Sequence, residues 1–319
     1  MSDWQQLLTT TFPEIKFQFD YPLSEYSYFK VGGPAEMFVQ ITDKQQIAAV
    51  VKFCHQHDIK LTVLGSASNV VISDQGVSGL ILVPAGKDFS VAAQDQKQIV
   101  VQAESGLETS KLVRRSAKVG ASGLEPFIGV PGTVGGAVYN NAHYHQKLIG
   151  NVVSRVEVVN PEGEIYWLKQ DQCRFDYEQS RFQQTDEVIL TAEFKLEPGD
   201  KAEIKRRIKQ SMRYRIKTQP LNKPSSGCIF KNVPNNPRLI QQFPQFADQE
   251  YVPAGFLIDQ AGLKGKSEGD IEVSSKHAAF LVNNGSGTAQ QIKQLINHVQ
   301  QTIQDKFGVV LETEVFFIE

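Results

Sequence analysis

Only three cysteines, Cys54, Cys173 and Cys228, occur in 319 residues. Their odd number and wide spacing exclude a disulfide framework and a CxxC metal or redox pair. Neither sign of charge predominates: the net is −2, which leaves no global field to recruit nucleic acid or an anionic membrane. No apolar run approaches the roughly 18 residues of a membrane span. The opening MSDWQQLLTT lacks the basic region and apolar core of a secretion signal, so a cytoplasmic location is expected. The six histidines show no HExxH-type spacing, and no metal is expected. Neither GxGxxG between a strand and a helix nor GxxxxGK[ST] is present, which argues against a Rossmann unit and a P-loop kinase. Internal repeats and low-complexity tails are absent as well. With 41% hydrophobic and 21% charged residues, the chain is an ordinary soluble globular protein of about two domains, or three small ones.

What is present begins with GVPGTVGGAVYNNA, residues 129–142, where four glycines fall within eight residues. Glycine takes positive φ without steric cost and lets another surface approach the main chain, while Pro131 fixes its own φ and restricts Val130 to extended geometry. Such a run is not expected to be an ordinary helix or strand. Its exposed N–H groups could wrap a phosphate or pyrophosphate as a concave nest, and a bland Gly-rich turn is the equal alternative. A second loop points the same way. The apolar run 61–64 empties into Gly65, Ser66, Ala67, Ser68 and Asn69 before a second apolar run, 70–72. Small side chains let backbone donors reach an anion, and serine and asparagine add hydrogen-bonding capacity.

Along the chain, residues 31–41 read as a turn feeding a strand. Thr42 then looks like an N-cap with Gln45 completing a capping box, and Ile47, Val50, Val51 and Cys54 form one apolar helical stripe. Strands are expected at 98–103, 152–159, 165–168 and 188–196, with a helix over 109–119 stopped by Gly120. Residues 201–217 carry eight basic residues, yet Ile204, Ile208 and Met212 make one apolar face, the pattern of a solvated amphipathic helix rather than a DNA-reading one. The helix 288–307 is marked by a Thr288/Gln291 capping box and a Gly308 stop, and a last strand is expected over 309–318. The resulting class is α+β, divided at 1–85, 86–200 and 201–319, with both small-residue loops where the first two segments meet.

Seven short motifs then occur in order: YFKVGGPA at 28–35, LGSASN at 64–69, SGLE at 122–125, GVPGTVGGA at 129–137, SGCIFKN at 226–232, AGFLIDQ at 254–260 and LETEV at 311–315. Together they resemble the UDP-N-acetylenolpyruvoylglucosamine reductase family, the FAD- and NADPH-dependent enzymes of muramic acid and hence peptidoglycan precursor synthesis. The resemblance runs from about residue 28 to the C-terminus. It implies a two-subdomain FAD-binding region of the vanillyl-alcohol-oxidase (PCMH) type, segments 1–85 and 86–200, and a C-terminal α+β substrate-binding domain, 201–319. It also implies that Gly65, Ser66, Ser68, Asn69, Gly129, Pro131, Gly132, Gly135, Gly136 and Ala137 contact FAD. No extra tyrosine-bearing insertion is evident, so the chain is more similar to the shorter branch. The expected partner is a small UDP-sugar enolpyruvyl ether; no feature sets an oligomeric state, and a monomer is the expectation.

Reducing an enol ether requires a hydride donor, a proton donor for the adjoining carbon and a group that stabilises the charge formed between the two transfers. Reduced flavin supplies the hydride. The family's proton donor is a serine in a Gly-Ser-x-Phe-Lys-Asn motif, and Cys228 stands at that position here, a better acid than a hydroxyl by several pK units. Without the surrounding motif, Cys228 would read as an inert buried thiol. Glu314 matches the family's second catalytic group, and Tyr177, Lys231, Asn232 and Gln260 match substrate contacts. The family arginine of Tyr-Arg-x-Ser is replaced by Glu178, whose charge would repel the same anion. Arg181 is the nearest candidate cation, although in a strand it would face the other way. His143 and His145 also depart from the small residues usual after the central loop. Arg213, Arg215 and Lys217 could offer cations to a diphosphate or to the NADPH phosphate. Two alternatives remain open: an FAD oxidase of another small molecule, and a weakened relative that binds without turnover.

Overall fold

The computed structural model describes residues 2–144 and 147–319. By its contacts the chain forms two compact units. One contains the segment ending at Tyr21 with Ala35–Ser66 and Ser78–Tyr214; the other contains Pro22–Pro34, Ala67–Val77 and Arg215–Glu319. These units cut across the expected segments 1–85, 86–200 and 201–319, because the pairing that groups them is long-range.

Two sheets build the first unit. A four-stranded sheet has the order Gln18–Pro22, Pro34–Ile41, Val77–Pro84, Leu61–Val63, the last two parallel. A six-stranded antiparallel sheet is centred on Val188–Pro198, flanked by Val153–Val159 and Ile99–Glu104. Successive side chains of a strand point to opposite faces. Val188 and Leu190 therefore join Leu8, Met37, Val39 and Ile47 in one core, while Ile189 joins Val156, Phe182 and Phe194 in another. One strand serving two cores is what merges segments 1–85 and 86–200.

The helix Lys44–Gln56 buries Ile47, Val50, Val51 and Cys54, the stripe its spacing implies. Its cap lies one residue later than expected: Asp43, not Thr42, accepts the Gln46 N–H at 2.9 Å, since a carboxylate is the stronger acceptor for a helix start. Burial pushes the Cys54 and Cys173 thiols up to about 12, which makes both inert packing groups. In the helix Lys201–Thr218, Ile204 is buried and Ile208 and Met212 pack on the core, as an amphipathic helix requires.

In the second unit, Val70–Ile72 pairs in parallel with Phe316–Ile318. Residues 61–64 and 70–72 are therefore not two strands of one local unit. The helix Ala289–Phe307 carries the expected Thr288/Gln291 capping box, and Gly308 ends it at φ +70°. Its stripe of Ile292, Leu295, Ile296, Val299 and Ile303 is buried against Leu257, Ile258 and Ile271, each such side chain contributing about 1.5–3 kcal/mol. Asp74 caps the same helix by accepting from the Ala289 and Gln290 N–H groups at 2.8 and 2.9 Å. The expected strand over 309–318 is regular only at Phe316–Ile318; residues 311–315 run beside 228–231 through the Phe230–Thr313 bridge and backbone hydrogen bonds.

Candidate active site

In the first unit Gly65, at the head of its small-residue loop, lies against Thr133. A Cβ on Gly65 would lie 2.6 Å from Thr133 Oγ1, so only glycine permits the approach. Ser66 Oγ is buried and has no hydrogen-bond partner among the described residues. A buried hydroxyl donor in a loop of small side chains suits an oxygen-rich acceptor such as a phosphate. Gly129 and Gly132 adopt φ of +77° and +119°. Gly129 N–H donates to Ser110 Oγ at 3.2 Å, and Gly132 C=O accepts from Thr109 N–H at 3.0 Å. Beyond this turn the expectation of a non-helical run is corrected: Val134–Tyr139 is a short helix, with Thr133 Oγ1 accepting the Gly136 N–H at 3.4 Å. Gly135 gives its N–H to Ser105 C=O at 2.8 Å and its missing Cβ makes room for Ser105, while Ala137 lies in the core. The turn over residues 129–133, with Pro131 at its middle, is thus the open part of the stretch.

The helix end feeds a second constellation in the same unit. Asn141, wholly buried at φ +44°, accepts the Gly150 N–H at 2.8 Å and donates to Asp176 C=O at 2.6 Å. Ser180 Oγ donates to Tyr139 C=O at 2.6 Å, and Gln183 Nε2 bridges Tyr139 C=O and Glu178 C=O. These bonds hold Tyr177 and Glu178 in a tight turn closed by paired Asp176–Gln179 hydrogen bonds of 3.1 Å, with Glu178 at φ +55°. The turn replaces the strand assumed for Tyr177 to Arg181. Arg181 opens a 3-10 turn and forks onto Glu187 through two 2.9 Å bonds, so it is committed there and is not the replacement cation. His143 Nδ1 lies 3.4 Å from Glu178 Oε1, and its ring centroid is 5.1 Å from that of Tyr177. His145 falls outside the described residues. Sequence reading passed over Asn141, although an asparagine just after a glycine-rich helix is a signal for a left-handed cap.

In the second unit Gly227, at φ +79°, turns the chain into the Cys228 segment; open space surrounds its Cβ position, so conformation alone demands glycine there. Cys228 is half-buried, unlike the other two cysteines. Ile229 N–H donates to Ala279 C=O at 2.8 Å, Glu314 N–H donates to Ile229 C=O at 2.8 Å, and Lys231 N–H donates to Glu312 C=O at 2.9 Å. Cys228 and Glu314 therefore ride on adjacent extended segments. Asn69 completes the group: its Nδ2 donates to Glu314 C=O at 3.2 Å and its C=O accepts from Phe316 N–H at 3.1 Å. Ser68 is in the same loop. Lys231 Nζ is 3.8 Å from Glu312, and Asn232 Oδ1 accepts the Ala254 N–H at 3.2 Å, fixing the start of the helix Ala254–Gln260. Gln260 is exposed as the last residue of that helix, about 9 Å along its axis from the start that Asn232 anchors. Arg213 and Lys217 are exposed, whereas Arg215 is buried and donates to Gln219 Oε1 at 3.0 Å.

Residues 35–169 match the FAD binding domain family, and with the paired small-residue loops this defines an α+β flavoprotein. Residues 219–318 match the C-terminal domain of UDP-N-acetylenolpyruvoylglucosamine reductase. Over 311 residues the chain is 37% identical to the UDP-N-acetylenolpyruvoylglucosamine reductase of Limosilactobacillus reuteri, covering 98% of each. It is 35% identical to that of Carboxydothermus hydrogenoformans, covering 92% of this chain and 91% of the relative. The crystal structure of the reductase from Thermus caldophilus superposes with a TM-score of 0.75 at 28% identity, over 96% of this chain and 99% of that one. The chain belongs to the UDP-N-acetylenolpyruvoylglucosamine reductase family.

Proposed function

We propose that this protein uses NADPH to reduce UDP-N-acetylglucosamine enolpyruvate to UDP-N-acetylmuramate for peptidoglycan precursor synthesis. The observation that carries the reading at the level of residues is the pairing of the Cys228 segment with the Glu314 segment. FAD, when bound, supplies the hydride. Its diphosphate is assigned to Gly65, Ser66 and the turn 129–133, where the Ser66 hydroxyl and glycine-permitted backbone suit an anion. Cys228 delivers the proton to the carbon next to the one that receives hydride, and Glu314 polarises the substrate or relays that proton. Tyr177, Lys231 and Asn232 orient the sugar phosphate or carboxylate, with Gln260 at the margin of the substrate region. The substrate is a small molecule, and no described helix is long and apolar enough to cross a membrane; the assignment is to a cytoplasmic monomer.

Purified protein tests this directly. The yellow flavin spectrum bleaches on NADPH addition and returns on adding the enolpyruvyl sugar. Cys228→Ala retains the bleaching and loses the recovery, while Cys228→Ser keeps recovery because a hydroxyl still donates. Full turnover by Cys228→Ala removes the proton-donor assignment; failure of the sugar to reoxidise the parent flavin removes the function.

A further inference from the structure

Glu178 is a carboxylate with 5% side-chain exposure, in a turn whose positive φ is held from several sides. An ionised carboxylate at such a depth requires a compensating cation, and removing one partner of a buried pair is strongly unfavourable. His143 Nδ1 stands 3.4 Å from Glu178 Oε1, at ion-pair distance, with 22% side-chain exposure. Its position is set twice. Asn141, two residues earlier, clamps Asp176 in the Glu178 turn, and the His143 ring lies 5.1 Å from the Tyr177 ring at a tilt of 51°. Imidazole, carboxylate and phenol thus form one group, and its phenol, Tyr177, is a residue assigned to substrate contact.

The reaction above works on an anion. The enolpyruvyl group carries a carboxylate, and after hydride reaches its terminal carbon the electron pair left on the adjoining carbon spreads into that carboxylate until a proton arrives. Glu178 alone would raise the cost of both charges. We propose that His143, carried as imidazolium by Glu178, is the cation that receives the substrate carboxylate and stabilises the charge built up on it, with Glu178 and Asn141 as its positioning residues. His143 keeps its protons throughout, and the proton that completes the product still comes from Cys228. The inference rests on the reading of Tyr177 as a substrate contact.

The test uses flavin-loaded enzyme and follows the two half-reactions separately, with His143→Gln as the neutral variant and His143→Arg as the charge-restoring one. In His143→Gln, flavin reduction by NADPH stays within about two-fold of the parent, while reoxidation by the enolpyruvyl sugar slows about 100-fold, the scale of one lost charge-stabilising group. His143→Arg recovers about ten-fold of that loss. Binding adds a readout without turnover: the parent prefers UDP-N-acetylmuramate over its methyl ester by about ten-fold, and His143→Gln loses the preference. Parent-like reoxidation in His143→Gln, an equal fall in both half-reactions, or an undiminished preference for the carboxylate overturns the proposal. If the parent itself is reduced by NADPH and not reoxidised by the sugar, the function proposed above fails and this inference fails with it.

Discussion

Glu314 donates its backbone N–H to the carbonyl of Ile229 over 2.8 Å, one residue beyond Cys228. That bond places a carboxyl group and a thiol on neighbouring extended segments, and the Asn69 amide holds the Glu314 carbonyl from the other side. Replacing Glu314 with Gln preserves the backbone anchors and removes the ionisable carboxyl group. Stopped-flow measurement should then show unchanged flavin reduction by NADPH and reoxidation by the enolpyruvyl sugar slowed about 100-fold. An unaltered second half-reaction would return Glu314 to the status of an ordinary surface residue.

Contact between Gly65 and Thr133 makes a second prediction. In Gly65→Ala the new methyl meets Thr133 Oγ1 at 2.6 Å, and the loops must separate at a cost of about 1–3 kcal/mol. Thermal melting should fall, and the flavin absorbance per protein with it, because both small-residue loops are displaced. Adding Thr133→Ala removes the oxygen in the way and should recover part of both losses, less the roughly 0.5–1 kcal/mol owed to the helix cap. Gly65→Ala that keeps full flavin content at unchanged melting temperature would show that the loops need not touch.

Acid should destabilise the protein through His277. Burial first, and then the charge of Lys264, holds its imidazole below the ordinary range. Its Nδ1 accepts the Ala279 N–H at 3.3 Å, and the Ala279 carbonyl in turn anchors Ile229. The unfolded chain takes up the proton near pH 6.5 while the folded chain resists it. The contribution is therefore present above about pH 6.5 and is lost as the pH falls through the depressed folded value. Melting temperatures measured from about pH 7.5 down to pH 5 should decline less steeply in His277→Asn, whose Oδ1 can still accept from Ala279; parallel declines would assign the acid sensitivity to other groups.

Local chemistry was legible in several segments that decide their own structure. The stripe Ile47, Val50, Val51 and Cys54 and the box Thr288/Gln291 are as their spacing implies. So are the turns at Gly120 and Gly308, both at positive φ. Three things were not legible, for physical reasons. Val134–Tyr139 is helical despite its glycines because Leu107 and Ser105 carbonyls tie down its first N–H groups, a tertiary bond that overrides propensity. Arg181 reads as a spare cation until Glu187 is seen to hold it in a fork. The His143–Glu178 pair joins residues 35 positions apart through the clamp made by Asn141. Of the site, the loops and the Cys228 and Glu314 segments could be located from residue order, whereas the electrostatics around Tyr177 required the fold.

Parallel pairing of Val70–Ile72 with Phe316–Ile318 has a consequence for biosynthesis. A ribosome extends a chain by roughly 5–20 residues per second, so about 250 residues separate these strands by on the order of ten to fifty seconds. Throughout that interval a Val-Val-Ile edge waits without its partner, the kind of apolar edge that recruits a neighbouring polypeptide. Nascent chains of this protein should accordingly lean on chaperones until residues 316–318 have emerged.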